Sequence, residues 1–218
     1  MNVFVLSTGR CGSTTFARAC DHITNFSAAH ESRIDVLRNR VEYPDQHVEV
    51  DNRLSWLLGR LDEKYGDNAF YVHQKREREA TAKSLTHGSY QRGIVEAYRK
   101  RVIPLEKKVS PKSKKNEICK HFIDTVNKNI DLFLKDKSKV VEFRLESAKT
   151  DFQKFWQKIG AEGDLTGALK EWEVKYNATD SERKEDNDET RKPSYFPLHV
   201  GRKLLRVVQK LPQFIEDA

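Results

Sequence analysis

The sequence predicts an α/β fold with a doubly wound, mainly parallel sheet flanked by helices. The first observation is that short apolar runs of strand type alternate with helical segments between residues 3 and 85, a pattern typical of parallel sheets. The second is that polar or charged residues follow each predicted strand. Ligands of such sheets bind outside the carboxyl ends of the strands, so we expect the functional site at that edge.

Five strands and several helices are predicted in turn. The strands are expected at residues 3–6, 25–31, 46–50, 69–73 and 140–145. Helices are expected at 16–20, 32–40, 54–61, 77–85, 118–133, 152–159 and 198–208, the long one from an apolar stripe at helical spacing. Between the helices, Pro, Lys and Ser at 109–115 predict a flexible loop, and the polar run 179–192 predicts a mobile one.

The charge of the chain favours an anionic ligand. The net charge is +7, and residues 99–149 hold 15 Lys/Arg against 7 Asp/Glu, which accounts for the whole imbalance. Many of these lysines are expected on solvated helix faces, while a basic surface also suits an anionic cofactor or substrate. No recognised nucleic-acid motif accompanies the charge, so we expect no nucleic-acid partner.

Cysteine usage and hydropathy indicate the compartment. The three cysteines have no paired spacing, which argues against a disulfide framework or a zinc site and favours a reducing compartment. No apolar run approaches the roughly 20 residues of a membrane helix, and the sequence starts with a strand rather than a signal peptide. We therefore expect a soluble, cytoplasmic protein without a membrane span.

The segment around which the chain is organised is the turn after the first strand. Strand, small-residue turn and helix together aim backbone N–H groups and the positive end of a helix dipole at an anion. Gly12 lets the backbone approach a ligand closely, Arg10 supplies a permanent cation, and three hydroxyl residues follow. The neighbours of Cys11 are expected to lower its pKa. An ordinary strand-to-helix turn without a ligand is the alternative.

Three better-known phosphate motifs do not fit this turn. The Walker A pattern fails because Gly12 is followed by Ser13 rather than lysine. The dinucleotide fingerprint G-x-G-x-x-G is absent. A cysteine phosphatase would need an arginine where Ala17 stands.

The turn resembles the 5′-phosphosulfate loop of sulfotransferases that use 3′-phosphoadenosine 5′-phosphosulfate (PAPS). Those loops have a lysine or arginine, one spacer, glycine and two hydroxyl residues, as does the segment 10–14, Arg-Cys-Gly-Ser-Thr. The family also has an arginine after a strand and a serine eight positions later, as Arg76 and Ser84 are here. Family members often have proline after that arginine, whereas this chain has Glu77. Lys75 is a further candidate for the same phosphate.

The resemblance covers residues 2–85 by motif and 140–160 by general pattern. It implies a P-loop NTPase-like fold and transfer of a sulfuryl group from PAPS, with adenosine 3′,5′-bisphosphate (PAP) as product and no metal. The acceptor would be a hydroxyl or amine of a small molecule or carbohydrate. The implied cofactor-binding residues are Thr8, Gly9, Arg10, Cys11, Gly12, Ser13, Thr14, Thr15, Arg76 and Ser84.

The general base is predicted near the end of the second strand. Glu31 and its neighbour His30 are the candidates, and Arg10 is expected to support the chemistry electrostatically. Strand neighbours point to opposite faces, so only one of the two should face the acceptor. His47 and Asp51 remain alternatives. The purely structural alternative is that His30 caps a strand end while Glu31 pairs with Arg33 or Arg53.

A single sulfotransferase-like domain is expected over residues 1–218. It divides into a cofactor-binding core (1–90), a basic helical insertion (91–139) and a late strand with C-terminal helices (140–218). Arg191 and Lys192 are candidates to close over the cofactor. Two other functions stay open: a kinase-like phosphotransferase that uses ATP and magnesium, and a non-catalytic anion-binding or nucleotide-binding protein.

Overall fold

The computed structural model describes residues 1–91, 93–103, 112–174 and 176. These residues form a five-stranded sheet in which every neighbouring pair is parallel, in the order β2-β3-β1-β4-β5. The strands are β1 Val3–Leu6, β2 Ser27–His30, β3 His47–Val50, β4 Phe70–Lys75 and β5 Val140–Arg144. The predicted α/β architecture with a parallel sheet flanked by helices is confirmed.

Helices cover both faces of the sheet. They are α1 Ser13–Cys20, α2 Leu58–Tyr65, α3 Arg78–Gly88, α4 Gly93–Ala97, α5 Lys112–Leu134, α6 Ala148–Ile159 and α7 Leu165–Lys170. On one face, Phe16 of α1 packs edge-on against Phe143 and Phe152 within a core that also takes in α6 and α7. On the other face, Phe4 and Tyr71 belong to a second core built with α2, α3 and α5. The arrangement is compatible with a doubly wound fold.

The strand order brings the predicted site segments to one edge. β1 lies between β3 and β4, with Val5 opposite Val50 and Leu6 opposite His73. Because all strands run the same way, the turn after β1 and the residues after β2, β3 and β4 emerge at the same edge. This is the edge at which ligands of open α/β sheets bind.

The predicted helix at 32–40 is wrong, since the segment consists of turns and bends. Its polar groups bind strand β3 and its end: the Ser32 backbone N–H and hydroxyl donate to Glu49, and Arg40 pairs with Asp51. These side-chain partners compete with helical hydrogen bonds. The apolar side chain of Leu37 is 90% exposed and packs on no core.

Other predicted boundaries move by a few residues. The predicted helix 54–61 is a 3₁₀ turn, Asn52–Trp56, followed by α2. The Asp51 carboxylate caps that turn by accepting from the Arg53 N–H at 2.8 Å. Helix α5 begins at Lys112, inside the predicted loop 109–115, while residues 104–111 are not described. The predicted loop 179–192, with Arg191 and Lys192, and the predicted helix 198–208 lie outside the described residues.

Within the described ranges, no helix combines the length and apolar character needed to cross a membrane.

Candidate functional site

The turn after β1 holds three residues with positive φ in a run of four. Gly9, Arg10 and Gly12 have φ of 80°, 59° and 88°. Gly12 is the N-cap of α1 in the left-handed conformation, with no side-chain cap. The first intrahelical hydrogen bond runs from the Phe16 N–H to the Gly12 carbonyl at 2.9 Å. Gly12 thus offers no side chain to cap the start of α1, which carries the partial positive charge of the helix dipole.

Both glycines also lie in close contact with neighbouring side chains. A Cβ on Gly9 would lie 2.8 Å from Nδ2 of Asn52, and one on Gly12 would lie 2.7 Å from Cδ1 of Leu145. Positive φ and crowding therefore both favour glycine at these positions. Residues 9–12 thus form a tight turn that leads into α1, and we call this turn the cradle.

Thr8 and Cys11 stabilise the turn from inside the protein. Both are buried; the Thr8 hydroxyl and the Cys11 thiol each donate to the Gly9 carbonyl, at 3.1 and 3.2 Å. Burial raises the pKa of the Cys11 thiol, against weaker opposing effects of Thr8 and the Arg76 charge. The expectation of a lowered pKa for Cys11 is therefore wrong, because desolvation outweighs its polar neighbours.

The three hydroxyl residues occupy the first turn of α1. Ser13 and Thr14 are half-buried, whereas Thr15 is buried. Ser13 Oγ lies 3.1 Å from Nε2 of His30, which ends strand β2. The sheet thus brings a histidine ring into contact with the N-terminal end of α1.

Glu31 follows β2 and has a positive φ of 53°. Its side chain contacts Arg53 rather than the start of α1. Its carboxylate pairs with the Arg53 guanidinium at 2.7 Å. Arg53 rather than Arg33 is therefore its partner in the structure. His30 and Glu31 thus have different polar partners, and the positive φ of Glu31, which lies just outside the strand, separates their directions.

The second motif meets the first turn directly. Arg10 Nε donates to Ser84 Oγ at 3.0 Å, and Arg76 Nη1 donates to the Arg10 carbonyl at 3.3 Å. Ser84 is buried on α3. The structure therefore brings Arg10, Arg76 and Ser84 together at the sheet edge.

Glu77 follows Arg76, at the position where the sulfotransferases that this sequence resembles often have proline. Its carboxylate is the N-cap of α3 and accepts from the N–H groups of Glu79 and Ala80 at 2.8 and 2.6 Å. These hydrogen bonds lower the pKa of Glu77. Lys75 pairs with Asp131 and Glu142 at 3.3 and 2.9 Å.

The alternative bases at β3 belong to a buried network. Asp51 is fully buried and paired with Arg40. His47 Nε2 lies 3.0 Å from Glu49 Oε2, and its Nδ1 lies 2.8 Å from Ser27 Oγ. The Asp51–Arg40 pair holds the segment after β2 against the sheet, whereas His47 joins β2 to β3.

Sequence reasoning missed Gln74, on β4. The side chain is fully buried, and neither of its polar atoms has a hydrogen-bond partner among the described residues. Its Nε2 lies 3.8 Å from the point that a Cβ on Gly12 would occupy. The available clue was strand alternation, which places Gln74 on the same face as the apolar Phe70 and Val72.

No family model, curated protein or solved structure matches this chain. Over the described ranges, no three His, Cys, Asp or Glu side chains are grouped so that they could hold a metal ion.

Proposed function

We propose that the protein is a PAPS-dependent sulfotransferase with a P-loop-like fold. The observation that carries the proposal is the contact of its two predicted motifs: the Arg10 guanidinium bonds to Ser84, and Arg76 bonds to the Arg10 carbonyl. A chance occurrence of either pattern would not require the two to meet at one ligand-binding edge. Their contact supports one nucleotide site with two anion-binding parts.

The residues present fit a nucleotide with phosphate groups at the 5′ and 3′ positions of its ribose. The cradle formed by Gly9 and Gly12 and the start of α1 would hold the 5′-phosphosulfate through backbone N–H groups, with Ser13 and Thr14 adding hydroxyl donors. Arg76 and Ser84 would hold the 3′-phosphate. Arg10 lies between them, and its side chain reaches toward Ser84, so we assign it to both anionic groups.

The cofactor supplies an activated sulfuryl group. In the proposed transfer, the acceptor oxygen or nitrogen forms a bond to sulfur while the bond from sulfur to the 5′-phosphate oxygen breaks. Arg10 and the start of α1 would stabilise the charge that develops on that leaving oxygen. Positioning and charge stabilisation supply most of the rate, as in phosphoryl transfer.

The acceptor's proton goes to a general base, and the geometry favours His30 over Glu31. His30 contacts Ser13 at the start of α1, whereas Glu31 is engaged with Arg53. We assign to Glu31 and Arg53 the positioning of the segment after β2.

Thermal unfolding with different nucleotides tests the proposal. A ligand at 100 times its Kd stabilises a protein by about 2.7 kcal/mol, so a specific site is readily detected. PAP should raise Tm, ADP much less, and ATP with magnesium no more than ADP. Turnover of PAPS with hydroxyl and amine acceptors then tests the chemistry. An equal response to PAP and ADP would contradict the assignment of the 3′-phosphate site.

A further inference from the structure

The fully buried carboxamide of Gln74 has no partner that accounts for its burial. Gln74 is the last but one residue of β4, and it shares a face with Phe70 and Val72, which belong to the core around α1 and α6. Both Oε1 and Nε2 lack a hydrogen-bond partner among the described residues. Buried polar groups in folded proteins are nearly always satisfied, and each exception needs an explanation such as a catalytic role or a bound ion.

The carboxamide lies against the start of α1. β4 pairs directly with β1, so the end of β4 lies beside the turn that leads into the helix. Nε2 is 3.8 Å from the Cβ position of Gly12, the helix N-cap. Leu145 and Trp172 pack on the same point, at 2.7 and 3.7 Å. The nearest atoms of these two side chains are carbons, although the Trp172 Nε1 is a second buried polar atom without a partner among the described residues. A hydrogen bond made in such a buried place is strengthened.

We infer that Gln74 binds the tetrahedral oxyanion held at the start of α1, through its carboxamide N–H; this rests on the proposed function. The amide is neutral and offers two donors. It adds a directed hydrogen bond to a sulfuryl or phosphoryl oxygen without adding charge. A fixed, buried donor is suited to orienting the group rather than attracting it from solution.

The variant Gln74→Met tests the inference, because methionine keeps the length of the side chain and removes both polar atoms. Affinity for PAP and for PAPS is measured by calorimetry in the absence of acceptor. We expect at least a tenfold loss for one or both ligands, equivalent to about 1.4 kcal/mol. Tm without ligand should stay the same or rise, because an unpaired buried polar group is removed. A loss for PAPS alone assigns the contact to the sulfuryl group, and a loss for both assigns it to the 5′-phosphate.

Tyr71→Phe is the matched control on the same strand. Tyr71 is also fully buried, and its hydroxyl bonds to the Gly66 carbonyl, on the segment that leads into β4. This variant should bind both nucleotides as the wild type does. If Gln74→Met does not fold, Gln74→Glu gives the second test, since a carboxylate there should weaken anion binding increasingly as pH rises.

Wild-type affinity of Gln74→Met for both PAP and PAPS would overturn the inference and leave the proposed function standing. A wild-type protein that binds neither nucleotide would instead overturn the proposed function, and the inference with it.

Discussion

Arg10 Nε lies 3.0 Å from Ser84 Oγ, although 74 positions separate the two residues. Arg10 lies in the turn after β1 and has a left-handed backbone conformation, with φ of 59°. Its side chain reaches α3 instead of folding over its own turn. One guanidinium thereby links the two predicted halves of the nucleotide site.

Gly12→Ala should destabilise the protein and abolish its response to PAP. Positive φ costs an alanine about 1–2 kcal/mol, and contact of the new methyl group with Leu145 adds roughly 1–3 kcal/mol. Gly160 is the control, because it has φ of 64° and a Cβ added there would meet nothing within 4 Å. Urea unfolding of Gly160→Ala should show only the cost of positive φ, about 1–2 kcal/mol. Equal losses for the two variants would contradict the crowding at Gly12.

His30→Gln should lower kcat while PAP binding is retained. A general base contributes roughly 10²–10⁴-fold to the rate, and a loss in this range is expected. Glu31→Gln removes the charge partner of Arg53 and should cost less than tenfold in kcat. Steady-state kinetics and PAP calorimetry on both variants measure this. A larger kcat loss for Glu31→Gln would return the role of base to Glu31.

Arg40→Ala should cost the protein about 3–5 kcal/mol in unfolding free energy, because it leaves the buried Asp51 carboxylate without its charge partner. Arg78→Ala is the matched control, since Arg78 pairs with Asp124 at the surface. Solvent screens that pair, and about 0.2–1 kcal/mol is expected. Chemical denaturation measures both values. Similar losses of unfolding free energy for the two variants would show that Arg40 does not stabilise the buried Asp51 carboxylate.

His73 should make stability depend on pH below neutrality. Burial, with the nearby Lys75 charge, lowers the pKa of His73 from its ordinary value of 6.5. The folded protein therefore binds this proton more weakly than the unfolded chain does. The contribution of His73 to the unfolding free energy is complete above about pH 6.5. It is lost as pH falls toward the lower pKa of His73 in the folded protein. In urea titrations from pH 8 to pH 5, the unfolding free energy of His73→Asn should fall less than that of the wild type. Identical pH profiles for the two proteins would contradict this role of His73.

The parallel sheet was predictable from sequence because each strand is a short run of apolar or alternating residues bounded by polar turns. The helix predicted at 32–40 failed because Ser32 and Arg40 bind Glu49 and Asp51. Such tertiary contacts are invisible to local periodicity.

At the site, the spacing of glycine, arginine and serine could be read directly from the chain. The contact of Arg10 with Ser84 and the position of Gln74 could not, since both depend on how β4 and α3 lie against the first turn. The preference between His30 and Glu31 likewise required the contact of His30 with Ser13. Sequence supplied the candidates, and three-dimensional neighbours distinguish among them.

Titration calorimetry of PAP and ADP against the wild type and Ser84→Ala shows whether one site binds both phosphates of PAP. Thr86→Val, another α3 hydroxyl, whose partner is Cys119, is the control. We predict that the wild type binds PAP at least tenfold more tightly than ADP. Ser84→Ala should lose that preference, and Thr86→Val should keep it. Equal wild-type affinities for PAP and ADP, or a preference that survives Ser84→Ala unchanged, would exclude a 3′-phosphate site at Ser84.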